Sequence, residues 1–173
     1  ETDLFVLHVP FYKMAYAGLQ KLAEKKLELS EEDAAAFVDE KGFLGGIAPT
    51  TQIGNIYSGS AYMAMIFLLA DEYRKHGDGI VGKKMLIASY GSGNTMTVIS
   101  ARVAENAPNV IASWDMESIF STARDSSFDE YDRWVSQIDY AVEEVEIDHT
   151  AAPAGTYRLA GVREDGYRLY QYQ

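Results

Sequence analysis

Residues 58–74 read SGSAYMAMIFLLADEYR, and from Met63 to Leu69 every position is apolar. A surface helix shows one apolar stripe, whereas a helix apolar on all sides has to be covered on all sides. In a chain of ordinary globular composition, this points to a central helix lying under a sheet or under another half of the molecule. The apolar run Ala61 to Ala70 is about half of the ~20 residues that span a bilayer, so no membrane partner is expected.

Outward from this helix, Gly77 to Gly82 forms a glycine-rich turn and KKMLIAS, Lys83 to Ser89, reads as a buried strand. It stops at Tyr90-Gly91-Ser92-Gly93, after which Thr95 to Val103 resumes with alternating apolar residues. Together they predict an antiparallel pair bent at the GSG turn. Two glycines around Ser92 let a ligand approach the backbone, although a tight hairpin calls for glycine in any case. The GKS or GKT of a phosphate-binding loop is missing.

On the other side, Asn55 to Tyr57 leads into the helix, with the Asn55 amide placed either to cap it or to face a cavity. Ile47 to Gly54, after Gly42, Gly45 and Gly46, predicts an irregular loop. Ser30 before Glu31, Glu32 and Asp33 is a helix start with a hydroxyl cap and acids in the first turn, giving a helix over Glu31 to Glu40. Phe11 to Lys26 reads as another, with Met14, Gly18 and Leu22 along one stripe and Lys13, Ala17, Lys21 and Lys25 spaced four apart, which puts three cations along one face.

The chain opens on ETDLFVLHVPFYKM. Leu4 to Leu7 suits a strand, and Pro10 forbids a helix interior while being well placed to open one. His8 therefore falls at a strand-to-helix junction, where α/β proteins collect ligands and catalysts. A half-buried histidine satisfied by backbone is the alternative reading. Near the other terminus, Asp115 to Ala123 and Ser127 to Val145 read as a surface loop with helix, and Thr156 to Ala160 with Tyr167 to Tyr172 as a hairpin turned at Glu164-Asp165-Gly166, its tyrosines half-buried.

The 173 residues suit one domain, and a net charge of −11 disfavours a nucleic-acid surface. With no cysteine there is neither a disulfide nor a thiol nucleophile, and three scattered histidines argue against a clustered metal site. The cytoplasm is the expected compartment. A start so close to a core strand is expected of part of a longer polypeptide.

HVPFYKM at 8–14, GNIYSGSAY at 54–62 and SYGSG at 89–93 occur in the order and at roughly the separation found in the carboxyl-terminal half of the 3-hydroxy-3-methylglutaryl-CoA synthase family, which this chain resembles. FDEYDRW at 128–134 and YRLAGVREDGYRLY at 157–170 are similar to that family's last helix and hairpin. The resemblance covers essentially the whole chain.

It implies an α/β fold: a thiolase-like half with a mixed β-sheet, a buried central helix and covering helices, in one domain over residues 1–173. It implies condensation of acetyl-CoA with acetoacetyl-CoA, as in the mevalonate pathway of isoprenoid biosynthesis, with CoA thioesters as substrates and no tightly bound cofactor. His8 matches the histidine that polarises the acceptor ketone, and Asn55 would offer an amide to a thioester or ketone oxygen. Ser92, or Ser89, would position the acyl group, with Tyr57 and Gly91 beside it. Lys13 would lie near the pantetheine entrance, and Lys21 or Lys25 would meet CoA phosphates.

The family's nucleophilic cysteine and glutamate base lie in an amino-terminal half absent from this sequence. The implied partner is that half, as a separate chain or a cleaved fragment, in an oligomer of such pairs. Two alternatives stand beside this: a synthase acting on carrier-protein thioesters in polyketide β-branching, and a half-thiolase subunit that only scaffolds.

Overall fold

The structure is a computed structural model and describes residues 2–91, 93–137, 145–146 and 154–172. Within the span predicted as one domain, the described chain groups into two compact units, Glu1–Glu117 and Ser118–Gln173.

The first unit starts with strand β1, Leu4–Leu7, followed by helices α1, Tyr12–Leu27, and α2, Glu31–Glu40. A short helix α3, Phe43–Ile47, and a 3-10 turn at Pro49–Gln52 lead to the long helix α4, Gly59–His76. A second 3-10 turn, Gly77–Ile80, delivers strands β2, Lys84–Gly91, and β3, Thr95–Arg102, and helix α5, Ala107–Ala112, follows. The sheet has the order β1-β2-β3. β1 runs parallel to β2, from Leu4 opposite Met85 to Leu7 opposite Ala88, and β2 runs antiparallel to β3, from Lys84 opposite Arg102 to Gly91 opposite Thr95. Parallel pairing needs a long crossover, and the helical layer between β1 and β2 supplies it. The sheet is mixed and the fold α/β, as the sequence predicts.

Local chemistry explains the boundaries. Asp3 Oδ2 accepts the Lys84 N–H at 2.7 Å while Asp3 N–H donates to Lys84 O at 2.9 Å, which pins the start of the parallel register. That hydrogen bond from the Lys84 backbone holds the Asp3 carboxyl below its usual range. The Ser30 hydroxyl accepts from Asp33 N at 3.1 Å, the predicted cap, an arrangement worth about 1 kcal/mol. α1 closes on Glu28 in the left-handed region at φ 57.

The core gathers Leu4, Val6, Leu19, Val38, Phe43, Ile47, Leu68 and Ile80, all at most 1% exposed. On α1 the buried stripe is Ala15, Leu19 and Ala23, not the predicted Met14, Gly18 and Leu22, which turn to solvent. Both stripes have helical spacing, and the small Ala15 and Ala23 let α1 seat closely, a choice that apolar size alone does not indicate. The predicted loop at Ile47 to Gly54 is replaced by the end of α3 and its 3-10 turn. Gly45 and Gly46 do not break structure here: a Cβ at Gly46 would stand 2.8 Å from Ala64 O, and one at Gly45 would strike the Asp71 carboxylate, so glycine is what lets α3 touch α4.

On α4, Ser60, Ala61, Ala64, Phe67, Leu68 and Glu72 are buried, while Met63, Met65, Ile66 and Leu69 are half-buried and Tyr62 is exposed. The helix is central, but in this chain one side is covered less than an all-apolar sequence predicts. β3 is likewise open, with Met96, Val98 and Ile99 exposed.

The second unit holds α6, Ser118–Ser121, α7, Phe128–Gln137, and strands β4, Val145–Glu146, β5, Tyr157–Val162, and β6, Arg168–Tyr172, in an antiparallel sheet of order β4-β5-β6. The predicted closing hairpin is β5 with β6, turned by Gly166 at φ 81. Its tyrosines are not half-buried as predicted: Tyr157, Tyr167, Tyr170 and Tyr172 are exposed, the rings of Tyr157 and Tyr172 meeting edge to face at 5.2 Å. Of the predicted surface loop with helix over Asp115 to Ala123 and Ser127 to Val145, Ser118–Ser121 and Phe128–Gln137 are helical and Val145 begins strand β4, while residues 138–144 lie outside the described residues.

Candidate functional site

Because β1 and β2 are parallel, their carboxyl ends lie at the same edge of the sheet. The backbone continues one step past β1, where His8 N–H donates to Ala88 O at 2.8 Å. His8 thereby leaves the strand beside Ser89, Tyr90 and Gly91 of β2, the sheet edge where open α/β folds place ligands. Its half-buried ring lies 6.2 Å from that of Tyr90, tilted by 45°.

The first turn of α4 reaches the same point. Ser60, 4% exposed, brings its Oγ to 3.1 Å from His8 Nδ1 and accepts the Val9 N–H at 3.0 Å. Ser60 N–H in turn donates to Tyr57 O at 3.1 Å, and Tyr57 N–H donates to Asn55 Oδ1 at 2.9 Å. One chain of hydrogen bonds thus runs from His8 through Ser60 and Tyr57 to Asn55. It holds the exposed Tyr57 in the left-handed region at φ 53, a conformation uncommon for an aromatic residue.

Of the two roles open to Asn55, the structure shows neither a helix cap nor a buried amide. Its oxygen closes the turn ahead of α4, and the exposed side chain keeps its NH2 free to face a ligand. Ser89 is half-buried opposite Thr97, and strand alternation turns it to the face away from Tyr90. Gly91 ends β2 opposite Thr95 and is exposed. Ser92 lies outside the described residues.

Lys13 and Lys21 are both exposed on α1, eight positions apart, about 12 Å along the axis. Lys21 is hydrogen-bonded to Glu24, which raises its ammonium pKa above the usual lysine value. An apolar hollow of about 160 Å³ between α1 and α2, lined by Phe5, Leu19, Leu22, Ala23, Leu27 and Phe37, includes none of these side chains. Among the described residues no three His, Asp or Glu side chains gather to hold a metal, and no helix is long and apolar enough to cross a membrane.

Ser60 and Tyr90 are not among the residues that the sequence singles out. Both lie inside the quoted motifs, as the second serine of GNIYSGSAY and the aromatic of SYGSG. The signal available was that motif positions flanking a candidate tend to support it.

The sequence model of the family described as "Hydroxymethylglutaryl-coenzyme A synthase C terminal" matches residues 20–173. The hydroxymethylglutaryl-CoA synthase of Haloferax volcanii is 28% identical over 126 residues, which cover 71% of this chain and 27% of that protein. Hydroxymethylglutaryl-CoA synthase A of Dictyostelium discoideum is 30% identical over 91 residues, 50% of this chain and 18% of that protein. The chain therefore matches about a quarter or less of the length of these relatives. Among solved structures, MvaS in complex with 3-hydroxy-3-methylglutaryl coenzyme A superposes with a TM-score of 0.77 at 27% identity, covering 99% of this chain and 41% of that one. The curacin-pathway HMG synthase with apo donor-ACP gives 0.83 at 18% identity, covering 99% and 44%, a likeness of fold.

Proposed function

The chain belongs to the hydroxymethylglutaryl-CoA synthase carboxyl-terminal family, and from that premise we propose that it supplies the acceptor-binding half of a synthase active site. The observation that carries this reading is the convergence of His8, Ser60 and the Asn55 turn at the carboxyl ends of β1 and β2. A scaffold needs the turn and the tie between β1 and α4, but it has no need of a half-buried imidazole and an exposed amide at one sheet edge.

In the proposed reaction a partner's cysteine carries the acetyl group and its glutamate removes a methyl proton. The resulting carbanion forms a carbon–carbon bond to the ketone carbon of acetoacetyl-CoA, and the carbonyl electron pair moves to oxygen. Charge builds on that oxygen, so an N–H from His8 aimed at it lowers the barrier. The proton taken by the glutamate returns to the oxygen, and water then releases 3-hydroxy-3-methylglutaryl-CoA from the cysteine. The Asn55 NH2 is the donor for a thioester oxygen. Of the two serines open to positioning the acyl group, Ser92 is preferred, because Ser89 turns to the face away from Tyr90; Gly91 and Tyr57 border the group, and Lys13 and Lys21 are assigned to the CoA phosphates.

The partner in this scheme is the amino-terminal half, as a separate chain or a fragment, in an oligomer of pairs in the cytoplasm. Exposed Phe11, Met14, Tyr62, Tyr90, Met96 and Val98 support a covering partner, because free surfaces seldom show so much apolar area. CoA thioesters are preferred over carrier-protein thioesters because the MvaS complex with its CoA ester shares 27% identity, against 18% for the carrier-protein complex.

The test is to combine this chain with an amino-terminal half and follow acetoacetyl-CoA consumption. Turnover that needs both components is expected. A well-folded pair with no turnover on acetoacetyl-CoA or on acetoacetyl carrier protein refutes the enzyme reading.

A further inference from the structure

We propose that Ser60 is a positioning residue that holds His8 as the neutral Nε2–H tautomer, so that the ring offers a single N–H donor to the acceptor oxygen. This rests on the role given to His8 above.

A serine hydroxyl has one proton to give and two lone pairs to accept with. Val9 N–H, 3.0 Å from Ser60 Oγ, can only donate, so it takes one lone pair. His8 Nδ1, at 3.1 Å, is the hydroxyl's other partner. Two arrangements satisfy that distance. If Ser60 O–H donates to an unprotonated Nδ1, the amide, the hydroxyl and the ring nitrogen are all paired, and the ring proton sits on Nε2. If Nδ1–H donates instead, the hydroxyl accepts twice and its own proton is stranded.

Ser60 is 4% exposed and Val9 8%, so water does not readily take up a stranded proton, and an unpaired buried donor is disfavoured. Among the described residues, Ser60 Oγ has no hydrogen-bond partner besides Val9 N–H and His8 Nδ1, so no other acceptor takes the hydroxyl proton. The first arrangement therefore prevails. A neutral imidazole held this way polarises a carbonyl by hydrogen bonding and keeps its proton, which agrees with a mechanism where the proton returns from the partner's glutamate. The backbone bond from His8 N–H to Ala88 O fixes the residue from the strand side while Ser60 fixes the ring from the helix side.

The tautomer is read directly from ¹⁵N resonances of the histidine rings in this chain, recorded on the alkaline plateau where they no longer move with pH. His8 is assigned by comparison with His8→Gln. An unprotonated Nδ1 and a protonated Nε2 are expected, with both resonances drawn toward an average in Ser60→Ala and left in place in Ser60→Thr, which keeps the hydroxyl. A protonated Nδ1 in the unsubstituted chain overturns the proposal, as does an unchanged ring in Ser60→Ala. Should Ser60→Ala fail to fold, Ser60→Cys, whose thiol is a weak donor, carries the comparison, and a protonated Nδ1 in the unsubstituted chain still overturns the proposal. In the assembled synthase, Ser60→Ala is expected to lower kcat about 10- to 100-fold with KM little changed, and a loss carried by KM alone contradicts the assignment. The resonances need no turnover, so failure of the tautomer and failure of the synthase reading give different results.

Discussion

His8 Nδ1 and Ser60 Oγ meet at 3.1 Å although 52 positions separate them in sequence. The contact ties the end of β1 to the first turn of α4, two elements that are each anchored elsewhere in the unit. β1 is held by its parallel register with β2, and α4 by its burial against α3 and the sheet. The role proposed for His8 gains from such support, because a donor misplaced by about 1 Å loses much of its effect on a developing charge.

In the proposed scheme, His8→Ala removes the donor aimed at the acceptor oxygen and nothing from the acetylation step, which is assigned to the partner's cysteine. In the combined enzyme, condensation is expected to fall by about 10²- to 10⁴-fold. Formation of the labelled acetyl-enzyme, followed by rapid quench, is expected to stay within a few-fold of the unsubstituted rate. Equal loss of both steps contradicts the role given to His8.

Asn55 closes a turn and is proposed to donate to a thioester oxygen, and two substitutions divide these roles. Its Oδ1 accepts the Tyr57 N–H at 2.9 Å and so holds Tyr57 at φ 53. Asn55→Asp keeps the acceptor and loses the NH2, whereas Asn55→Ala loses both. The aspartate variant is expected to melt like the unsubstituted chain while its kcat/KM drops about 10-fold or more, the scale of one lost hydrogen bond to a developing charge. Alanine is expected to add about 1 kcal/mol of destabilisation from the opened turn. Full activity in Asn55→Asp confines the residue to the turn.

Much of this site is legible in the sequence because its signals are local. Ser30 with the acids after it marks α2 from Glu31, and the apolar run after Asp3 marks β1. The hairpin of β2 and β3 follows from its glycines and alternation. His8 and Asn55 stand out only through the motifs around them. What escapes is what depends on partners distant in sequence. Gly45 and Gly46 read as breakers until α4 is seen against them, and the buried stripe of α1 is chosen by the fit of Ala15 and Ala23. Ser60 has only its place inside the GNIYSGSAY motif to mark it, since its contact with His8 exists only once β1 and α4 come together.

Asp71 makes the acid limb of stability testable. Burial alone raises its pKa, but hydrogen bonds from Lys75 at 2.5 Å and Arg74 at 2.6 Å outweigh this and leave the carboxyl below the ordinary 3.8. A carboxyl with a lowered folded-state pKa contributes stability above its unfolded value and loses it as pH falls through the folded one. Unfolding free energy is therefore expected to decline below about pH 4, and Asp71→Asn to flatten that decline while lowering stability near neutrality. Urea titrations of both proteins across this window check the sign. Parallel curves contradict the assignment.

Gly46 and Gly18 give opposite expectations for the same substitution. A Cβ on Gly46 stands 2.8 Å from Ala64 O and 3.0 Å from Leu68 Cβ, both on buried positions of α4. Backbone oxygen cannot swing aside as a side-chain tip can, so α3 must back away from α4. Overpacking of this kind costs about 1–3 kcal/mol. Gly18 lies inside α1, and a methyl group added there meets nothing within 4 Å, so alanine only restricts the unfolded chain and favours the helix. That is worth about 0.5–1 kcal/mol in stability. Gly46→Ala is expected to lower the urea midpoint and Gly18→Ala to raise it, with the denaturant slope unchanged in both. The first displacement also loosens the seat of α4, and with it the reach of Ser60 to His8, so Gly46→Ala is expected to weaken condensation although it touches no substrate. A Gly46→Ala protein as stable and active as the parent rejects the close packing of α3 on α4.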